Sequence, residues 1–221
     1  SIIPETLLEQ NNPDIKIGTE KLEIDTEIKK EAGSGYIKKS WNKEEITTDK
    51  GNIEIKNNNN VPAWGGIYLQ YYENMDKIQS NETNIKITKK LYVESKTDTK
   101  IVYIPLTEDN LNVGNTIKVR IDVEVDRDME YVHLKDLRAS GLEPQNTLSG
   151  YRYNNGLGYY QEIKDSSNNF FFDWLPKGKY TFEYDLKAYH KGEFANGMAT
   201  IQSMYAPEFT SRTEGLQIKI N

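Results

Sequence analysis

Apolar and polar residues alternate with a period of two over much of the chain, and the clearest run lies near its middle. Ile117, Val119, Ile121, Val123 and Val125 alternate with Lys118, Arg120, Asp122 and Glu124. Successive side chains of an extended strand point to opposite faces, so this run predicts a long, half-buried strand. Upstream, Leu22, Ile24, Thr26 and Ile28 alternate with Glu23, Asp25 and Glu27, and residues 84–93 alternate through Ile85, Ile87 and Leu91. Shorter strands are predicted at 36–41 and around Ile53 and Ile55, and the aromatic-rich stretch 64–72 reads as a central strand. Downstream, a strand at 131–135 is expected to bury Val132 and Leu134, leaving Tyr131, His133 and Lys135 on the wetter face. Phe170, Phe172 and Trp174 form one apolar face, and Tyr180, Phe182, Tyr184, Leu186 and Ala188 form the next. The short turn at 176–179 between them predicts a hairpin. Residues 194–203 and 216–220 complete the strands, and no segment of ten or more residues carries a 3.6 period.

Punctuation divides these strands. Gly33-Ser34-Gly35, the asparagine run 57–60 closed by Pro62, and Asp126-Arg127-Asp128 read as turns or loops, and 141–158 reads as a long Gly/Asn/Tyr connection. Residues 4–13 form an entry segment with a short helical turn expected at 5–9. At 94–100 the composition turns polar and the periodicity stops, which places a domain boundary between residues 94 and 95. The expected fold is all-β, with two β-sandwich domains in series, 1–94 and 95–221.

Composition narrows the picture. Hydrophobic residues make up 36% of the 221, which fits thin sandwiches better than a thick helical core. The 15 tyrosines suit half-buried strands, with ring on the sheet and hydroxyl in water. A net charge of −6 argues against nucleic acid as partner. With no cysteine, disulfides, thiolate metal sites and cysteine nucleophiles are excluded. No apolar run approaches the roughly 20 residues of a membrane helix. The opening Ser1-Ile2-Ile3-Pro4-Glu5 has no basic leader, so the chain is expected to follow a removed signal or to begin inside a longer protein.

Candidate chemistry is sparse. His133 and His190 are isolated and read as rim histidines. Asp126, Asp128 and Glu130 alternate like a calcium loop but lack its glycine and terminal glutamate, so a charged turn is expected. Ser34 has no nucleophile elbow around it, Gly156-Leu157-Gly158 precedes no helix, and Glu44-Glu45 has no partner carboxylate placed across a cleft. No catalytic residue, cofactor or metal is expected, and the chain is read as no enzyme. Tyr151, Tyr153, Tyr159 and Tyr160 either form a sugar-stacking platform or pin the long connection to the sandwich.

Five segments in order carry a resemblance. They are Asp126-Arg127-Asp128-Met129-Glu130-Tyr131-Val132, Lys135-Asp136-Leu137-Arg138-Ala139-Ser140, Ser149-Gly150-Tyr151-Arg152, Phe171-Phe172-Asp173-Trp174-Leu175-Pro176-Lys177-Gly178, and Met204-Tyr205-Ala206-Pro207-Glu208-Phe209. This series resembles the last macroglobulin-like domain of bacterial alpha-2-macroglobulins. Gly33-Ser34-Gly35-Tyr36 with Trp41, and Ala63-Trp64-Gly65-Gly66-Ile67-Tyr68 with Gln70-Tyr71, resemble the returning part of the family's CUB-like β-domain. The resemblance implies the C-terminal docking and shielding region of a broad-spectrum protease trap, periplasmic or envelope-anchored. Its partners would be the thioester-type and other macroglobulin domains of the same long chain and, through the whole protein, target proteases. The loop bearing Met204, Tyr205, Pro207 and Glu208 becomes the candidate contact that keeps water from a thioester. The bland reading makes Met204 and Tyr205 core plugs. The reading from a different class is a carbohydrate-binding β-sandwich module of an envelope protein.

Overall fold

The computed structural model describes residues 12–24, 36–58, 62–97, 100–154 and 156–221. The chain divides into two compact units, residues 1–70 and 71–221. Among the described residues every strand pairing is antiparallel and the helix is limited to three single 3-10 turns.

The first unit holds a three-stranded sheet in the order β2 (Glu20–Lys21), β1 (Asp14–Ile17), β3 (Ile53–Lys56). Gly18 and Thr19 join β1 to β2, and Gly18 takes φ +61, which favours glycine at this two-residue turn. Ile17 and Leu22 form a small core with Ile15, Ile37 and Trp41. The Lys50 ammonium lies over the Trp41 ring at 5.2 Å while pairing with Glu20 at 2.5 Å. The turn expected at 33–35, the helical turn at 5–9 and most of the strand expected at 22–28 fall outside the described residues. The strand expected at 36–41 is irregular chain. So is 64–72, where Trp64, Tyr68 and Tyr72 stand almost fully exposed. Aromatic content suits a strand, but a strand also needs a partner, and 64–72 pairs with no strand among the described residues.

The second unit is a sandwich. One sheet is ordered β5 (Ile101–Pro105), β4 (Ile85–Lys96), β6 (Thr116–Val125), β12 (Gly178–Ala188), β8 (Leu142–Pro144). The other is ordered β15 (Thr210–Arg212), β14 (Ala199–Ser203), β7 (Met129–Leu137), β11 (Ser167–Leu175), β10 (Leu157–Ile163), β9 (Gly150–Asn154). A two-stranded ribbon, β13 (Gly192–Asn196) with β16 (Leu216–Ile220), adds Ile218 and Ile220 to the core. The alternating residues of β6 are all buried, as are Val132, Leu134, Phe170, Phe172, Phe182 and Leu186. Each such side chain contributes about 1.5–3 kcal/mol by leaving water.

Several expectations change in detail. Upstream of the junction the sequence placed at 94/95, β4 runs on to Lys96 and pairs with β5, and Ile85, Ile87, Leu91 and Val93 belong to the large core. β11 and β12 are not a hairpin: β11 pairs with β10 and β7, β12 with β6 and β8. The short turn carries the chain from one sheet to the other, and β6 to β7 crosses in the same way. Two strands that each bury an alternating face fit this arch as well as a hairpin, because the period fixes which face is apolar and not which edge is paired. The connection at 141–158 contains β8 and β9, and 194–203 is split into β13 and β14 at Gly197. A Cβ on Gly197 would sit 2.4 Å from that of Leu137, so only glycine allows this close approach.

Candidate functional site

The loop between β14 and β15 is braced on both sides. The Met204 amide donates to the Tyr131 carbonyl at 2.9 Å, the Ser203 amide to Phe209 at 3.2 Å, and the Phe209 amide to Ala206 at 2.9 Å. The Thr210 hydroxyl closes the turn on the Pro207 carbonyl at 2.7 Å. From this frame Met204 and Tyr205 project into solvent, 59% and 80% exposed, and Pro207 and Glu208 are exposed beside them. They are therefore not core plugs. The Tyr205 ring meets Tyr131 edge-on with centroids 5.1 Å apart. Tyr131 holds φ +50, a left-handed conformation that costs an L-residue about 1–2 kcal/mol. Trp174, half exposed and paired in register with Glu130 next to Tyr131, adds another large apolar side chain at this end of the sheet. Met204→Ala is expected to change the stability of the chain by less than about 0.5 kcal/mol, because little is buried there. A larger drop in a urea melt would mean that Met204 packs internally.

The outer face of the six-stranded sheet carries an aromatic row. Tyr151, Tyr160, Phe171 and His133 lie opposite one another across β9, β10, β11 and β7. His133 stacks flat on Phe171 at 4.5 Å and shares a hydrogen bond with Asn169 Oδ1 at 3.1 Å. Tyr159 points the other way, into the core against Phe170, Phe172 and Phe182. Tyr151 and Tyr160 meet at 73°, so this pair does not present the coplanar rings that sugar stacking requires. Burial lowers the His133 pKa, and Lys135 and Lys164 add to this against the opposing Asn169 bond and Glu162. The folded state thus binds the proton more weakly than the unfolded chain. The stability this contributes is present above the ordinary value of 6.5 and lost as pH falls through the lower folded value. His133→Gln is expected to flatten the fall in Tm between about pH 7 and about pH 5. An unchanged slope would assign that fall to other groups.

The turn carboxylates are already engaged. Asp126 accepts from Arg127 at 2.9 and 3.1 Å, and Asp128 accepts the Lys177 amide at 2.8 Å. Among the described residues no group of three or more His, Cys, Asp or Glu is placed to hold a metal ion. His190 is exposed.

A buried polar cluster went unread in the sequence. Lys89 occupies the inward row of β4 between Ile87 and Leu91, and Asp136 follows Val132 and Leu134 on the inward row of β7. Their side chains are 2% and 0% exposed and pair at 2.5 Å. Lys89 also donates to the Leu137 and Gly197 carbonyls at 2.8 and 2.9 Å, and the Tyr184 hydroxyl donates to the other Asp136 oxygen. Burial pushes the Asp136 carboxyl up, with Lys89 and Tyr184 pulling it down. Burial and the Asp136 charge push the Tyr184 phenol well above its ordinary value, so it serves as a neutral donor. The signal was a charged residue at an apolar position of a strict period-two run.

Two facing antiparallel sheets form a macroglobulin-like sandwich, with an exposed apolar loop between β14 and β15. Residues 85–208 match the family model described as the bacterial alpha-2-macroglobulin MG10 domain, and the chain belongs to that family. A structure of a mutant Salmonella alpha-2-macroglobulin is similar over 65% of this chain and 10% of that one, at 18% identity and a TM-score of 0.51. Escherichia coli alpha-2-macroglobulin activated by porcine elastase is similar over 64% of this chain and 14% of that one, at 16% identity and a TM-score of 0.51. Those likenesses concern the fold. The Circularly permutated Ras protein 2 of Dictyostelium discoideum is 29% identical over 111 residues, 50% of this chain and 3% of that protein. The chain thus spans a small part of the proteins it matches.

Proposed function

We propose that this chain is the C-terminal docking and shielding region of a protease trap of the bacterial alpha-2-macroglobulin family, working at the bacterial envelope. Residues downstream of the 94/95 junction, together with β4, form the docking sandwich, and the preceding residues supply a CUB-like segment. The observation that carries the reading is the braced loop that holds Met204 and Tyr205 in solvent. Large apolar groups fixed in place and exposed to water are stabilised when a partner surface covers them. Tyr131 supports this role, since a strained backbone is kept where the surrounding structure needs its position. The exposed aromatic stretch 64–72 supports further contact with other parts of a longer chain. The partner is a thioester-type domain of that chain, and the proteases it traps are partners of the whole protein.

The test uses the full-length protein. Replacing Met204 and Tyr205 together by alanine is expected to speed spontaneous loss of the thioester, read as free thiol appearing over time. An unchanged rate sinks the shielding role. An upstream chain that is a catalytic domain without a bait region overturns the trap itself.

A further inference from the structure

Arg138 follows β7 and keeps its inward parity after Val132, Leu134 and Asp136, and it is only 5% exposed. Its Nε donates to the Asp165 carbonyl at 3.0 Å. Both Nη1 and Nη2 are buried and have no hydrogen-bond partner. Close by, Asn196 is 1% exposed. Its Oδ1 accepts the Ala139 amide at 3.1 Å, while its Nδ2 is buried without a partner. The residue after it, Gly197, gives its carbonyl to Lys89, so Asn196 and Arg138 flank the same buried cluster.

Each Asp136 oxygen already has a donor, and neither donor is Arg138. One Asp136 oxygen binds Lys89 and the other binds Tyr184. Asp165 itself is exposed, and it is its carbonyl that meets Arg138. Lys89 and Asp136 pair with each other, Tyr184 is neutral, and the Arg138 guanidinium is always charged, so its charge is offset only through space by Asp136 and the exposed Asp165, with no carboxylate bonded to it. A buried guanidinium with no bonded counter-ion and several unpaired N–H donors both disfavour the empty site. The free groups are all donors, which excludes a cation. Water could take the hydrogen bonds but would leave the charge.

We propose that Arg138 and Asn196 form a binding site for a small monovalent anion, of which chloride is the probe. The anion accepts from the Nη groups and Nδ2 and neutralises the guanidinium. The site is separate from the Met204–Tyr205 loop and does not depend on its role.

The experiment is thermal unfolding of the 221-residue chain in sodium chloride and in sodium gluconate at equal ionic strength. Tm is expected to rise by roughly 5 to 10 °C once chloride exceeds its Kd a hundredfold, with gluconate inert and bromide replacing chloride. Asn196→Asp keeps the bond to Ala139 and supplies a built-in counter-ion, so its Tm should be independent of chloride. Excess broadening of the chloride NMR signal is expected with the wild-type chain and lost in Asn196→Asp. Arg138→Met, if it folds, should also lose both responses. Equal Tm values for the wild type in chloride and gluconate overturn the proposal, as does a chloride response that survives in Asn196→Asp.

Discussion

Lys89→Met is expected to destabilise the sandwich by about 3–5 kcal/mol, the cost of leaving a buried carboxylate without its partner. That corresponds to a fall in Tm of roughly 6 to 20 °C for a unit of this size. Lys89 satisfies Asp136 and the carbonyls of Leu137 and Gly197 together, and methionine replaces none of these bonds. The reverse half of the argument is as testable. Lys89→Met combined with Asp136→Leu removes both charges, and buried ion pairs replaced by apolar groups are often neutral or stabilising. The double variant should therefore recover most of the loss. If it is no more stable than the single one, the pair's worth lies in the backbone carbonyls it ties rather than in its charges.

The second large effect belongs to the aromatic core. Phe170 is 1% exposed and lies 5.4 Å from the Phe182 ring, 5.8 Å from Tyr159 and 6.3 Å from Tyr184. These rings come from both sheets, so they join the two layers. Phe170→Ala should cost about 3–5 kcal/mol through lost burial and the cavity left behind. A loss below about 1 kcal/mol, measured by chemical denaturation, would mean that the layers close over the gap.

Period-two patterning made most of the second unit legible. β4, β6, β7, β12 and β16 all sit where alternating residues placed them. What the pattern lacks is any mark of pairing partner. Phe172 and Phe182 look alike in a hairpin and in an arch, and the arch was missed for that reason. Trp64 and Tyr72 misled because aromatic residues stand on exposed irregular chain here, and their type alone does not separate that from a central strand. Polar residues at 94–100 ended the periodicity, while β4 runs on to Lys96 and pairs it with Ile101 of β5. In the candidate site, Met204 and Tyr205 were found through their resemblance to a known motif. Their exposure was not readable, because an apolar pair between two strands fits a core plug equally well. Lys89 and Asp136 were readable, since each interrupts an inward apolar row.

The crossings from β6 to β7 and from β11 to β12 also bear on how the domain assembles. The central pairings of both sheets join distant chain segments, Val123 with Tyr180 in one and Leu134 with Ile201 in the other. Hairpins such as β9–β10 can zip locally, but the layers are not complete until β12 and β15 have left the ribosome. Non-local pairing of this kind gives a high contact order, so folding is expected in milliseconds to seconds rather than microseconds. During synthesis the apolar rows of β4 and β6 must wait uncovered, which makes the nascent domain dependent on protection from aggregation.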